Sequence, residues 1–415
     1  MGTPDRPKQA ASRGRLVIWE ECARDGAQAK IIMTGRERAL IAQETGRILG
    51  SAGPSQLIFA AGFPAIGPEE VHAMQVLADT VDTCSLASHG RATRHDIDLA
   101  LRALRGATHP RITFWIPVSD ALSAALGMSS RTVALQRGLD CLDYALSAGG
   151  GIPVDVALAG AEPDDPQYSA DVVATLTAAG ASIVKLCDSV GRFYPRQTRN
   201  FVERVLNDPS IGDAVVGVHL HNDLGFALAN TVEAVAKGVR VVASSWMGLG
   251  ERNGLAATEQ LIVVLSGVVC SPKNALGEPV DLWEKPPDLQ RVVPTAHSVS
   301  RITGVPLKVT DAIAGTGVNS ISTGTPFLDR TVFQPFDPKT VLGVEPRIEV
   351  TQLASKRVLQ AVAAQYDIVL SDEELDAALR WVKSVAYQRN KAIIDREELF
   401  AFLAGRSSDD GGSGR

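Results

Sequence analysis

Eight short runs of β-branched and other apolar residues recur between Arg15 and about Ser266, and each is followed by a segment with helical periodicity. They span 15–23 (RLVIWEECA), 56–63 (QLIFAAGF), 81–88 (VDTCSLAS), 111–118 (RITFWIPV), 152–159 (IPVDVALA), 182–188 (SIVKLCD), 214–221 (AVVGVHLH) and 239–246 (VRVVASSW). Intervening stretches such as RATRHDIDLALRALRG carry Ala, Leu and Arg at helical spacing and often end in Gly, a normal stop signal. Eight consecutive βα units within about 250 residues have the number and length of an α/β chain closed into a (β/α)8 TIM barrel, whose parallel strands are apolar on both faces. An open doubly wound sheet would carry G-x-G-x-x-G after its first strand. Here that place reads CARDGAQ, and GLGERNG (248–254), with glycines spaced G-x-G-x-x-x-G after the eighth strand, reads as a tight βα loop.

The barrel rhythm predicts a catalytic domain over 15–270. After Ser271 the chain turns Pro-rich, which predicts a linker or lid subdomain over 271–345 and a smaller, mainly helical C-terminal subdomain over 346–406. Within it, 350–367 and 371–388 read as helices, the second opened by a Ser371…Glu374 capping box, and DREELFAFL (395–403) as a last short one. Such an appendage buries little alone, so packing on the barrel or on a second subunit is expected. Residues 1–14 and 407–415 are small and polar and read as disordered ends.

Charge and cysteine usage exclude several classes of function. With 41 Lys+Arg against 47 Asp+Glu, the net charge of −6 supplies no cationic field for phosphate contacts, so nucleic acid is not an expected partner. No stretch is apolar for the roughly 18 residues a membrane helix needs. Cys22, Cys84, Cys141, Cys187 and Cys270 are scattered with no C-x-x-C pair, which argues against a disulfide framework or a cysteine zinc site. A cytoplasmic protein is expected.

In such a barrel the chemistry sits where strands end. His219 and His221 close the seventh run. At i and i+2 in a strand their imidazoles share one face, and if that face is the lumen both converge at its mouth. An H-x-H pair alone is equally consistent with hydrogen-bonded structural histidines. Asp25, just past strand one, is the candidate third ligand, because strands one and eight adjoin in a closed barrel and strand seven is two positions away. One carboxylate and two imidazoles leave positions open for water or a bidentate oxygen substrate, the pattern of a catalytic metal. Arg24 could stabilise an enolate or alkoxide oxygen there, or simply pair with Glu20, Glu21 or Glu251. Gln28 could orient ligands. Asp188 and Ser189 end strand six, while Glu251 and Arg252 follow strand eight and could equally brace the loop.

The motifs Arg24-Asp25-Gly26-Ala27-Gln28, Gly62-Phe63-Pro64, Asp188-Ser189-Val190-Gly191, HLHNDLGFALANTVEAVAKG (219–238) and GLGER (248–252) occur in order at barrel spacing. Together they resemble the isopropylmalate, homocitrate and citramalate synthase family of DRE-TIM metallolyases, related to 3-hydroxy-3-methylglutaryl-CoA lyase. The resemblance covers residues 15–270 strongly and the later region weakly. It implies a divalent ion (zinc, manganese or magnesium) on Asp25, His219 and His221, Arg24 beside the substrate oxygen, and Ser189 where a substrate-contacting Thr stands. It also implies a Claisen-type condensation of an acyl-CoA with a 2-oxo acid, in a homodimer that exchanges C-terminal elements.

The chain departs from that pattern. Leu122 replaces a His after strand four, Ala157-Leu158-Ala159-Gly160 replaces an acidic segment, Leu255 replaces an Asn, and Ser322 in NSISTGT (319–325) stands where the general acid/base His belongs. A more apolar pocket and a relocated base are expected. His297 and Tyr387 are conceivable replacements but read better as structural. The leading reading is thus a metal-dependent C–C bond-forming acyltransferase giving a 2-hydroxy diacid. The alternatives are a lyase or aldolase using the same enolate, although 247–256 lacks the Cys of the related lyase, and a non-catalytic partner protein.

Overall fold

The computed structural model describes residues 4–269, 281–323 and 332–409. Cys270, the subdomain start near Ser271, the end of the NSISTGT segment and the end of the tail lie outside them. The chain forms two compact units, residues 1–307 and 308–415.

In the first unit eight parallel strands close a barrel in chain order. They are β1 (Val17–Glu20), β2 (Leu57–Gly62), β3 (Ser85–Arg91), β4 (Pro110–Pro117), β5 (Val154–Ala159), β6 (Ile183–Asp188), β7 (Val215–Leu220) and β8 (Val241–Ser244). Closure runs through β1, where Ile18 lies opposite both Leu57 of β2 and Val242 of β8. All eight expected runs become strands, because helices cover the outside and side chains fill the lumen, so apolar residues are favoured on both faces. Only β3 shifts appreciably: it continues past Ser88 to Arg91, paired with β4 as far as Trp115.

The barrel unit ends later than expected. Helix Val292–Thr303 packs on helix Gly35–Leu49 of the barrel, burying Val292, Ala296 and Val299, so it belongs to this unit rather than to a separate lid. The N-terminus also departs from a disordered end. Residues Arg6–Ser12 are a helix with Asp5 as N-cap and Pro7 in its first turn. Ala10 and Ala11 pack with Trp19, Ile58, Ile183 and Val241 at the lower end of the barrel. The Asp5 carboxylate reaches the Arg111 guanidinium and the Ser182 hydroxyl there. Seven residues of polar composition carry too little periodicity to announce this; the anchor is a tertiary ion pair.

The second unit is mainly helical, with helices Lys356–Ala364, Asp372–Arg389 and Arg396–Asp409. Its core gathers Val358, Val362, Leu375, Ala378, Val382 and Leu399. The Ser371–Glu374 capping box is formed in both directions. A two-stranded parallel pair places Ser320 opposite Arg347 and Ile321 opposite Ile348. Helix Arg396–Asp409 runs past the expected start of the tail at Ser407. Among the described residues no helix is long and apolar enough to cross a membrane.

Candidate active site

Strand β1 delivers its end to the barrel mouth through a buried carboxylate. Glu20 accepts from the backbone N–H of Cys22 and of Trp246, tying the turn after β1 to the turn after β8. Asp25 then opens a single 3-10 turn, Gly26–Ala29, and its Oδ1 accepts from the Glu251 N–H at 3.3 Å. That donor sits on the GLGERNG loop, where the Gly254 backbone has φ +76° and a Cβ would overlap the Gly248 carbonyl oxygen, so only Gly closes the turn.

From across the mouth, β7 supplies His219, and His221 follows one residue past its end. The three side chains meet, buried. His219 Nε2 is 3.2 Å and His221 Nε2 3.8 Å from Asp25 Oδ2, and the two Nε2 atoms are 3.3 Å apart. Donors that each lie about 2.0–2.2 Å from one ion stand roughly 3.0–3.6 Å from one another, so two of the spacings match and the third is slightly long. Asp25 Oδ2 is buried with no hydrogen-bond partner. These residues therefore fit a divalent ion: a carboxylate oxygen and two imidazole nitrogens, all within 4.8 Å. Burial raises the Asp25 pKa, but the neighbouring His219 and the Arg24 charge outweigh it and hold the carboxyl well below its ordinary value. Burial and then neighbouring His219 push His221 down to about 4, which keeps that imidazole neutral.

Arg24 Nη1 lies 3.5 Å from Asp25 Oδ2 and 3.6 Å from Glu21 Oε2. Of the pairings open from sequence, Glu21 is the one formed; Glu20 is occupied by backbone donors and the Glu251 carboxylate by Arg252. Glu21 is fully buried and central. Its Oε1 lies 3.5 Å from His219 Nδ1 and 3.6 Å from Lys185 Nζ, and that Nζ sits 3.4 Å from the centroid of the Trp19 ring. Lys185 and His89 were missed from sequence, and Glu21 was read only as a possible partner of Arg24. Glu21 and Lys185 are charged residues inside apolar runs, where only the lumen register reveals them, and His89 lies one residue beyond the expected end of strand three.

All of these line one cavity of about 330 Å³, together with Gln28, Ser189, Phe63, Trp115, Leu122, Ala157 and Ala159. Gln28 and Ser189 thus reach the same space as Asp25, His219 and His221. Ser189 Oγ accepts from the Gly160 N–H at 3.0 Å. Asp188 turns away, accepting from the N–H groups of Gly191 and Phe193. Arg252 braces the loop through Asp223 and the Ser189 carbonyl. The departures at Leu122, Ala157 and Ala159 give one wall of the cavity an apolar lining. Leu255 is buried beside His221, across an isolated β-bridge. Ser322 belongs to the second unit.

The HMGL-like family model matches residues 15–290, well over half of the chain. The chain belongs to the HMGL-like family. A 2-isopropylmalate synthase of Synechococcus sp. (strain CC9311) is 30% identical over 405 residues, covering 94% of this chain and 72% of that protein. The 2-isopropylmalate synthase 1 of Caldanaerobacter subterraneus subsp. tengcongensis is 27% identical over 393 residues, covering 93% of this chain and 94% of its own length. The HMG-CoA lyase of Bacillus subtilis superposes with a TM-score of 0.56 at 19% identity, over 76% of this chain and 98% of that one, and speaks for the fold alone. The resemblance carried by the barrel motifs is thus matched across this HMGL-like chain, second unit included.

Proposed function

We propose that this chain is a divalent-metal-dependent acyltransferase that joins an acyl-CoA to a 2-oxo acid by a Claisen-type condensation, giving a 2-hydroxy diacid. One observation carries the reading: Asp25, His219 and His221 converge beside Arg24 at the barrel mouth. Relatives matched over most of the chain are named for making 2-isopropylmalate, itself a branched 2-hydroxy diacid.

In this reading Asp25, His219 and His221 hold the ion, be it zinc, manganese or magnesium. When bound, it acts as a Lewis acid on the ketone of the 2-oxo acid, making the carbonyl carbon electrophilic. The Arg24 guanidinium, always charged and donor-only, stabilises negative charge on substrate oxygen. Gln28 and Ser189 offer polar contacts to the bound acid. Leu122, Trp115, Ala157 and Ala159 receive its side chain, which favours a bulky apolar substituent. A cytoplasmic homodimer with exchanged C-terminal elements belongs to the same proposal.

The test is thiol release from a panel of acyl-CoA and 2-oxo acid pairs. Release by wild type and not by Asp25→Ala is the expected result. CoA-independent cleavage of a hydroxy acid would instead assign a lyase, and neither activity together with no metal would leave a partner protein.

A further inference from the structure

An enolate forms from an acyl-CoA only if some group removes an α-proton. Most titratable groups in the cavity are committed elsewhere. Asp25, His219 and His221 face one another as the ion cluster. Arg24 and Arg91 are permanent cations without a lone pair to offer. Glu21 is wedged between Arg24, Lys185 and His219, and Lys185 between Glu21 and the Trp19 ring. Burial pushes the Cys187 thiol up to about 12. The Glu251 carboxylate is exposed and paired with Arg252.

His89 is what remains among the described residues lining the cavity. It stands on β3, buried, edge-on to the Phe63 ring, with Nε2 2.7 Å from Arg24 Nη2. A guanidinium can only donate, so Nε2 is the acceptor in this bond, and in the neutral ring the proton sits on Nδ1. The geometry therefore fixes which nitrogen carries the free electron pair, and aims it at the fork proposed to grip substrate oxygen. Burial, and then the Arg24 charge, keep the ring neutral.

We propose that His89 is the proton acceptor of the condensation, an inference that rests on the acyl-CoA reading above. As Arg24 turns its N–H from His89 to the thioester oxygen, Nε2 is released. The α C–H bond breaks, N–H forms at Nε2, and the electron pair moves onto the thioester oxygen, where Arg24 holds the enolate. The negative charge created beside the new imidazolium offsets its placement near Arg24. The enolate carbon then bonds to the ketone carbon, the ketone oxygen takes the proton back from His89, and water cleaves the thioester to carboxylate and thiol.

His89→Gln separates this role from a positioning one, since the Gln amide oxygen can still accept from Arg24 but is not a base. The readout is deuterium uptake from heavy water into the acyl group of acetyl-CoA and propionyl-CoA, followed by mass spectrometry. It is measured with the 2-oxo acid that gives most thiol release, alongside metal per chain and melting temperature. Loss of uptake by about 10²–10⁴-fold in His89→Gln, with metal content and melting temperature kept, is expected. Wild-type uptake in His89→Gln overturns the proposal, as does loss of uptake accompanied by loss of metal. A wild type that releases no thiol from any pair overturns the condensation itself.

Discussion

Glu21 Oε1 lies 3.5 Å from His219 Nδ1, on the far side of the ring from the Nε2 that faces Asp25 at 3.2 Å. A carboxylate behind a metal-binding imidazole fixes the tautomer that leaves the front nitrogen free and raises its basicity. Lys185 and Arg24 hold Glu21 in place from two other sides. Glu21→Gln is therefore expected to weaken zinc binding by roughly 10–100-fold. Titration with a competing chelator checks this, with the melting temperature as control because Lys185 loses its partner. Unchanged affinity in a folded variant would show that the contact does not orient His219.

The ion itself is checked directly. The wild type, purified without chelators, is expected to hold about one divalent ion per chain by elemental analysis, given three protein donors at catalytic-site spacing. Asp25→Ala and His219→Ala should each be metal-poor, and chelation should abolish thiol release reversibly. A wild type that neither contains nor takes up zinc, manganese or magnesium would remove the enzyme reading.

Substrate choice should follow the apolar wall. Ala157 and Ala159 are small residues facing the cavity beside Leu122 and Trp115. Ala159→Phe fills the space a bulky 2-oxo acid needs and leaves Asp25, His219 and His221 in place. The ratio of kcat/KM for bulky over short 2-oxo acids should fall by at least about 10–200-fold, the range a single methylene of pocket volume controls. A ratio unchanged by the substitution would place the substrate side chain elsewhere.

The barrel was legible because its parallel strands are apolar on both faces, a signal that survives without any alignment. The meeting of Asp25, His219 and His221 was legible because strand order in a closed cylinder turns sequence distance into proximity. His89 was not: a polar residue after Ser88 looks like the end of a strand, and only pairing with β4 carries β3 on to Arg91. Lys185, and the place of Glu21 between it and His219, were hidden for the opposite reason, since charges within apolar runs look like interruptions until each is found to neutralise the other. Helix Arg6–Ser12 depends on Arg111, more than a hundred residues away, and no local pattern encodes that.

Glu20 gives the pH dependence. Burial, despite N–H donors from Trp246 and Cys22, pushes its pKa up to about 8 from an ordinary value of 4.5. Between those limits the folded chain retains a proton that the unfolded chain has released. Its contribution to stability therefore falls as pH rises from about 4.5 to about 8 and is level above that. Melting temperature measured across this window should decline less steeply for Glu20→Gln than for wild type. Parallel curves would mean that Glu20 is ionised in the fold.

The lower end of the barrel offers a prediction independent of the chemistry. The Arg111 guanidinium is buried and held by Asp155 through two bonds, Nε to Oδ2 at 2.9 Å and Nη2 to Oδ1 at 2.6 Å, with Asp5 and Ser182 completing the set. Removing one partner of a buried pair leaves the other charge without compensation, a loss of about 3–5 kcal/mol. Asp155→Ala should therefore lower unfolding stability in urea by about that much. Asp5→Ala should cost less, because Asp155 still satisfies the guanidinium and the Asp5 side chain is only partly buried. It should also release helix Arg6–Ser12, which protease digestion would detect as early cleavage near the N-terminus. Equal losses for the two variants would show that the N-terminal helix, rather than Asp155, carries the neutralisation of Arg111.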